Sequence, residues 1–332
     1  MSAEKIIGEW RKKIFKPFYW LEGDEPYYID KILDFAETQI LSEAEAAFNL
    51  SVLYGRDLNM PGLISTCKKY PMFGERQVVI VKEAQYLKDV EKLDGYFQNP
   101  QPTTVLIIAY RDKKIDARTR FAKTIKAKGE FFSTKKLYDN ELPEWVAATV
   151  KHLGLSITQN ALILLVDHIG NDLARLENEI KKIAVNLKEK QNITEDDVEK
   201  YVGISKEFNA FELQKAIAYR DMSKAVRIIR YFESNPKAAP LQMILPTLYS
   251  FFSKVAVAHA VPGKDDKAIA AALGVNFFFA KDYLTAKKNY PYQKVEHILL
   301  HLHEYNLRSI GINDTGTPGT ELLKELTIKI MN

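Results

Sequence analysis

Two histidines and a glutamate near the C-terminus have the spacing of metal ligands. His297, His301 and Glu304 are separated by four and three residues, so they can share one helix face. Imidazole and carboxylate groups are common zinc ligands. The same helix would also have an apolar face, made of Val295, Ile298, Leu302 and Tyr305. Because no further ligand is suggested nearby, we favour an ordinary polar surface over a metal site.

The first strand-to-helix turn is where a nucleotide-binding α/β domain would hold phosphate. Such a loop needs glycines, whose backbone amides converge on the phosphates, and a lysine. Residues 21–28 are Leu-Glu-Gly-Asp-Glu-Pro-Tyr-Tyr, with one glycine, no lysine, three acidic side chains and a proline that removes an amide donor. We therefore expect neither a bound nucleotide cofactor nor hydrolysis of ATP by this chain.

Other catalytic motifs are absent from the sequence. It contains no Gly-x-x-x-x-Gly-Lys-Ser/Thr, no Gly-x-Ser-x-Gly and no His-Glu-x-x-His. Asp116 and Arg118 could be a residual sensor position beside a former nucleotide pocket. We favour a helix start, with Asp116 near the positive end of the helix dipole. The sequence thus predicts a chain without intrinsic catalysis and without a catalytic, cofactor or metal site.

The connector before the third strand has an unusual apolar run. An amphipathic helix from about Asn59 should end where Pro71 forces Tyr70 out of helical geometry, and Gly74 should let the chain turn back. Connectors usually lie at the surface and are polar, yet this one is Tyr70-Pro71-Met72-Phe73. The pair Met72 and Phe73 either packs on its own domain, the commoner case, or projects into an apolar pocket of another protein.

The bulk composition is that of an ordinary soluble protein. The chain has 332 residues, a formal net charge of +4 and a single cysteine, Cys67. One cysteine excludes an internal disulfide and a thiolate-rich metal site, which fits a reducing compartment. Residues 1–16 lack the apolar core of a secretion signal, and the longest apolar runs are too short to span a bilayer. We expect a cytoplasmic protein without membrane contact.

Short strands and crossover helices alternate in the first third of the chain. The predicted strands lie at 18–21, 48–53, 78–81, 105–109 and 130–133, and two of them are apolar on both faces. Continuous apolar runs are typical of a parallel sheet covered by helices. We therefore predict a parallel α/β domain over residues 1–136.

The rest of the chain is predicted to be helical. Thr158, then Asn171 or Asp172, and then Thr194 with Asp197 can begin three helices of a small domain over residues 137–205. A larger helical domain should follow over residues 206–332. Its predicted breaks lie at 235–236, 261–263, 289–291 and 315–319.

Eight short segments stand out in a fixed order along the chain. They lie at 19–27, 71–76, 78–84, 114–118, 144–146, 170–173, 178–182 and 208–213. They read YWLEGDEPY, PMFGER, VVIVKEA, KIDAR, EWV, GNDL, NEIKK and FNAFEL. This ordered set, in which no segment is decisive alone, resembles the delta subunits of bacterial DNA polymerase III clamp loaders over essentially the whole chain.

The resemblance implies a degenerate AAA+ (RecA-like) module, a small helical lid and a C-terminal helical collar. It implies a hetero-pentamer with the gamma/tau ATPase subunits and a delta-prime subunit, a beta sliding clamp that the chain binds and opens, and primer-template DNA contacted through the complex. The clamp-binding pair of the family falls on Met72 and Phe73, flanked by Tyr70 and Pro71. Lys68 replaces the family's usual polar residue, so no contact is assigned to it.

Three other functions remain possible on the sequence. An active AAA+ or helicase-type ATPase is disfavoured by the acidic turn. A delta-prime subunit is disfavoured because many of these carry a zinc-binding cysteine cluster and a Ser-Arg-Cys motif. A non-replicative adaptor scaffold is the third.

The segment 111–128, with eight basic and two acidic residues, could contact DNA, but we favour a solubilising surface.

Overall fold

The computed structural model describes residues 2–187, 191–205, 207–235, 240–261, 266–275, 277–314 and 316–332. The chain forms two compact units, Met1–Leu137 and Tyr138–Asn332. The predicted domain boundaries after residues 136 and 205 stay predictions. Of the predicted breaks in the last domain, positions 236, 262, 263 and 315 lie outside the described residues.

A five-stranded parallel sheet forms the centre of the first unit. Its order is β2-β3-β4-β1-β5, and every neighbouring pair is parallel. The strands are β1 (Phe18–Gly23), β2 (Leu50–Tyr54), β3 (Gln77–Lys82), β4 (Thr104–Arg111) and β5 (Glu130–Thr134). All five predicted strands are present, which confirms the predicted parallel α/β architecture.

Helices cover both faces of this sheet, which explains its continuous apolar strands. They are α1 (Ala3–Arg11), α2 (Pro26–Gln39), α3 (Glu43–Asn49), α4 (Met60–Cys67), α5 (Leu93–Gln98) and α6 (Arg120–Lys128). Along β1 the side chains alternate between two cores. Tyr19 and Leu21 pack in one core with Trp10 of α1, and Phe18 and Trp20 pack in the other with Phe97 of α5.

The predicted start of the second strand at Phe48 is wrong. Ser42 and Glu45 form a capping box, in which the Glu45 carboxylate accepts from the Ser42 backbone amide at 3.0 Å. The good helix formers that follow continue α3 through Asn49, and β2 begins only at Leu50. Phe48 therefore lies on the last turn of a helix.

The second unit is almost entirely helical. Its helices are α7 (Leu142–His152), α8 (Gln159–Ile169), α9 (Leu173–Asn186), α10 (Glu195–Val202), α11 (Ala210–Ala218), α12 (Met222–Ser234), α13 (Leu241–Ala260), α14 (Asp266–Leu273), α15 (Phe277–Asn289), α16 (Tyr292–Ser309) and α17 (Gly319–Met331). The prediction missed β6 (Ser156–Ile157) and β7 (Asn192–Ile193), which pair in parallel. Strands of two residues are too short to show an alternating pattern.

The predicted helix caps of this unit are confirmed. The Thr158 hydroxyl accepts from the Ala161 amide at 3.2 Å, and the Asp172 carboxylate accepts from the Arg175 amide at 3.0 Å. The Asp197 carboxylate accepts from the Thr194 amide at 3.0 Å. Each cap satisfies backbone groups that would otherwise lack a partner at a helix end.

Helix α13 is the one helix among the described residues that is long and apolar enough to cross a membrane. Several of its side chains, among them Leu248, Phe252 and Val255, are fully buried in the core of the second unit. This burial is that of a core helix in a globular unit.

Candidate protein-interaction site

The connector between α4 and β3, residues 68–76, begins earlier than predicted. Helix α4 is capped by Asn59, whose side-chain oxygen accepts from the Gly62 amide at 2.8 Å. It ends at Cys67, three residues before Tyr70, so the prediction that Pro71 ends it is wrong. The Lys69 amide already bonds to the Thr66 carbonyl at 3.2 Å, which closes the last turn more tightly than an α-helix.

A buried glutamine fixes the end of α4 to the sheet. The Gln77 side-chain amide donates to the Lys69 carbonyl at 2.6 Å and to the Thr104 hydroxyl at 2.7 Å. The Thr104 hydroxyl in turn donates to the Cys67 carbonyl at 2.8 Å. These bonds satisfy carbonyls at the helix end, so the connector begins at a helix end that is fixed to the sheet.

The four predicted site residues lie together on the connector, and three of them are strongly exposed. The exposed fractions are 76% for Tyr70, 54% for Met72 and 90% for Phe73, while Pro71 is half-buried. Large apolar side chains at this exposure contribute little to the stability of their own domain. The first unit thus presents an apolar projection at its surface.

The connector turns at Phe73 and not at Gly74 as predicted. Phe73 has a φ of +56°, in the left-handed region that non-glycine residues rarely adopt. Gly74 has another reason to lack a side chain, because a Cβ there would lie 3.1 Å from the Glu45 carboxylate and 3.2 Å from the Asn49 amide. The glycine lets the connector pass close to α3.

Two residues of α3 belong to this site and were missed from the sequence. The Asn49 side chain accepts from the Met72 amide at 2.7 Å and donates to the Met72 carbonyl at 2.8 Å. The ring of Phe48, 63% exposed, lies edge-on to that of Phe73 with 6.2 Å between centroids. No sequence pattern could have found them, because it is the pairing of β2 with β3 in the sheet that brings them to the connector.

The turn between β1 and α2, residues 23–26, is closed by its own side chains. The buried Glu25 carboxylate caps α2 by accepting from the Tyr27 amide at 3.1 Å. The Glu22 carboxylate accepts from the Trp20 indole N–H at 2.9 Å and from the Ile115 amide at 3.0 Å. Asp24 pairs with Lys114 at 2.7 Å. The helix end that would attract a phosphate already holds a carboxylate.

Comparisons with known proteins find similarity to one family. Residues 19–135 match the family model described as DNA polymerase III, delta subunit. Over these residues the chain is similar to that family. It is 25% identical to the DNA polymerase III subunit delta of Bacillus subtilis over 93% of this chain and 91% of that protein. It is 24% identical to a probable delta subunit of Aquifex aeolicus over 68% of each.

A solved structure shows the same fold. The DNA clamp loader delta protein of Bacillus subtilis superposes with a TM-score of 0.65, 22% identity and 99% coverage of both chains. The predicted fold class, a parallel α/β domain followed by helical regions, is confirmed. The resemblance inferred from the ordered segments is confirmed as well.

Asp116 does not lie at a helix start, so that prediction is wrong. Helix α6 begins at Arg120 and is capped by Thr119, so Asp116 belongs to the preceding turn. Its carboxylate accepts from the Arg118 guanidinium at 2.8 Å, and this hydrogen bond lowers the pKa of Asp116 below its usual range. Arg118 itself is exposed, so the pair is a local surface contact.

Several basic side chains of segment 111–128 are held by neighbours within the first unit. Arg111 pairs with Asp30, Lys114 with Asp24, and Arg120 with Asp94 at 3.4 Å. Lys128 donates to the backbone and side-chain oxygens of Gln98, both at 2.9 Å. These contacts favour the solubilising surface over a DNA-binding one.

The three residues with metal-ligand spacing make other contacts. The His297 ring lies 2.7 Å from the Gln293 carbonyl, and the His301 ring lies 3.5 Å from the Glu304 carboxylate. Over the described part of the chain no group of three histidine, cysteine or acidic residues could hold a metal. The apolar face of the helix is buried as expected, at Val295, Ile298, Leu302 and Tyr305.

Proposed function

We propose that this chain is the delta subunit of a DNA polymerase III clamp loader, and that it binds and opens the ring-shaped beta sliding clamp with Met72 and Phe73. The observation that carries the proposal is the exposed apolar connector, whose backbone is fixed while its side chains remain in water. Tyr70 and Pro71 flank the pair and shape it.

The energetics of the pair suit an anchor. Burying Met72 and Phe73 in a pocket would supply roughly 1.5–3 kcal/mol each. Because the connector backbone is already ordered by hydrogen bonds, little further conformational entropy is lost on docking. Two such side chains at the centre of a contact would dominate its affinity.

Ring opening follows from differential binding and needs no covalent step. A closed ring is favoured by its own interfaces. A subunit can shift that equilibrium only by as much as it binds the open form more tightly than the closed form. The connector would fit a clamp surface that is distorted in the open ring, and the rigid sheet behind it would resist the ring's tendency to close.

Nucleotide chemistry is assigned to the other subunits of the proposed hetero-pentamer. The β1–α2 turn has no lysine, and its helix end is capped by Glu25, so a phosphate would meet negative charge there. The gamma/tau subunits would bind and hydrolyse ATP, and the delta-prime subunit would complete the assembly. Primer-template DNA would be reached through the complex, in the cytoplasm.

The test is the double substitution Met72→Ala with Phe73→Ala. We expect clamp affinity to fall at least about a hundredfold, since two buried anchors are lost. The thermal melt should stay unchanged, because both side chains are exposed in the free chain. Binding is measured by surface plasmon resonance on immobilised clamp.

The matched control is Ile14→Ala, which removes a side chain of comparable exposure (56%) from the same unit. It should leave clamp affinity unchanged. Wild-type affinity in the Met72/Phe73 double variant would overturn the proposal.

A further inference from the structure

The end of α3 and the α4–β3 connector meet at one edge of the sheet. β2 and β3 are parallel neighbours, with Leu50 opposite Val78. The residues just before each strand therefore emerge side by side. Phe48 and Asn49 end α3 immediately before β2, and the connector arrives immediately before β3.

Asn49 holds the backbone of Met72 as a paired strand would. Its side chain is 3% exposed and pairs with both polar backbone groups of that residue. An amide side chain has one acceptor and two donors in a fixed plane. The two bonds therefore set both the position and the orientation of the Met72 backbone.

The same contact acts on Phe73. The Met72 carbonyl and the Phe73 amide lie in one planar peptide group, so the bond from Asn49 to that carbonyl fixes the plane from which Phe73 departs. Phe73 occupies the left-handed region, which is sterically unfavourable for an L-residue. Such a conformation persists only where the surroundings hold it.

Phe48 extends the apolar surface beyond the connector. Its ring touches that of Phe73 edge-on, with 73° between the ring planes, and both rings are more than half exposed. Edge-to-face ring pairs are favourable, so the two rings support each other. The exposed apolar surface is thus continuous from Met72 through Phe73 to Phe48.

We infer that the docking surface has two parts, and that the end of α3 is the second. Asn49 is a positioning residue that holds Met72 and Phe73 in their docking geometry, and Phe48 is a further contact residue for the same sliding clamp. The inference depends on the proposed function, because the occupant of the surface is the clamp. Continuity with the connector is what assigns Phe48 to that partner.

The first experiment compares two asparagine-to-alanine variants of the full chain. Asn49→Ala should weaken clamp binding about tenfold, because the connector loses two backbone hydrogen bonds and its fixed geometry. Asn59→Ala is the matched control: it removes the cap of α4, whose bond to the Gly62 amide lies away from Met72. It should lower the melting temperature and leave clamp affinity unchanged.

The second experiment separates positioning from simple contact by a double-mutant cycle. If Asn49 acts through the pair, Asn49→Ala should cause no further loss, less than about twofold, when Met72 and Phe73 are already alanine. Phe48→Ala should weaken binding about tenfold in the wild-type background and should be coupled to Phe73→Ala, since the two rings touch.

The outcomes separate this inference from the proposed function. If the Met72/Phe73 variant loses the clamp while Asn49→Ala and Phe48→Ala bind like wild type, the second docking part is wrong and the proposed function stands. If Asn49→Ala and Asn59→Ala weaken binding equally, Asn49 contributes only stability. If the Met72/Phe73 variant itself binds normally, the proposed function fails first.

Discussion

The first unit contains two connectors whose backbones are both held by side-chain hydrogen bonds. They differ in whether their own side chains are bonded within the unit or exposed to water. In the β1–α2 turn the carboxylates of Glu22, Asp24 and Glu25 are all bonded within the unit. In the α4–β3 connector Asn49 satisfies the backbone, while Met72 and Phe73 remain in water. The first connector has its carboxylates bonded within the unit, whereas the second leaves large apolar side chains exposed, a feature typical of interaction surfaces.

The largest effect on this comparison is expected from Gly23→Ala. Gly23 has a φ of +125°, and an added Cβ would overlap the backbone carbonyl of Thr134 in β5. Neither the conformation nor the backbone neighbour can adjust cheaply, so we expect a loss of at least about 2 kcal/mol of stability. Urea unfolding measures it, and Gly95→Ala, where a Cβ meets nothing within 4 Å, is the control. An unchanged midpoint for Gly23→Ala would mean that the turn is not closed as described.

A smaller effect is expected from Glu25→Ala. Losing the cap of α2 should cost about 1 kcal/mol of stability, measured by the same unfolding curve. Because the turn still lacks a lysine and keeps Glu22 and Asp24, the variant should not gain nucleotide affinity. Titration with a fluorescent ATP analogue should show no saturable binding by wild type or variant. Saturable binding by either protein would contradict the description of the β1–α2 turn as closed to phosphate.

The smallest expected effect on the fold concerns Cys67, which ends α4 and immediately precedes the α4–β3 connector. Burial raises the pKa of the Cys67 thiol to about 12 from its ordinary value of 9.0, so almost no thiolate forms at neutral pH. A thiol reagent at pH 8 should label the native chain far more slowly than the urea-unfolded chain. Rapid native labelling would show that the end of α4 opens readily.

The same thiol gives a pH dependence with a definite sign. Its pKa is higher in the folded chain than in the unfolded one, so its contribution to stability is complete below pH 9. That contribution declines as the pH rises from 9 towards 12, because the unfolded chain loses its proton first. Cys67→Ala should flatten this part of the stability profile measured by urea unfolding between pH 8 and pH 11.

The sequence could predict only the part of the site that is formed by residues adjacent in the chain. Pro71 and the apolar run located the connector, because both signals lie within a few neighbouring residues. The roles of Phe48 and Asn49 depend on contacts with residues more than twenty positions away in the chain, such as the bond from Asn49 to Met72. No pattern along the chain carries that information. The start of β2 was wrongly predicted at Phe48, because the apolar run after Phe48 outweighed the helix formers before it.

The fold was predictable for a related reason. Strands such as 78–81 are long enough to show continuous apolar character, whereas Ser156–Ile157 is not. The turn residue was misassigned because glycine usually supplies a positive φ. Here Phe73 adopts it and Gly74 provides clearance beside Asn49, a division of roles that only the three-dimensional packing reveals.

The direction of the strands separates the two connectors in space. In a parallel sheet all strands run the same way, so the turn after β1 and the connector before β3 lie at opposite edges. With strands of six residues each, that separation is about 20 Å. Any influence of the β1–α2 turn on the connector that carries Phe73 must therefore pass through the buried strands of the sheet.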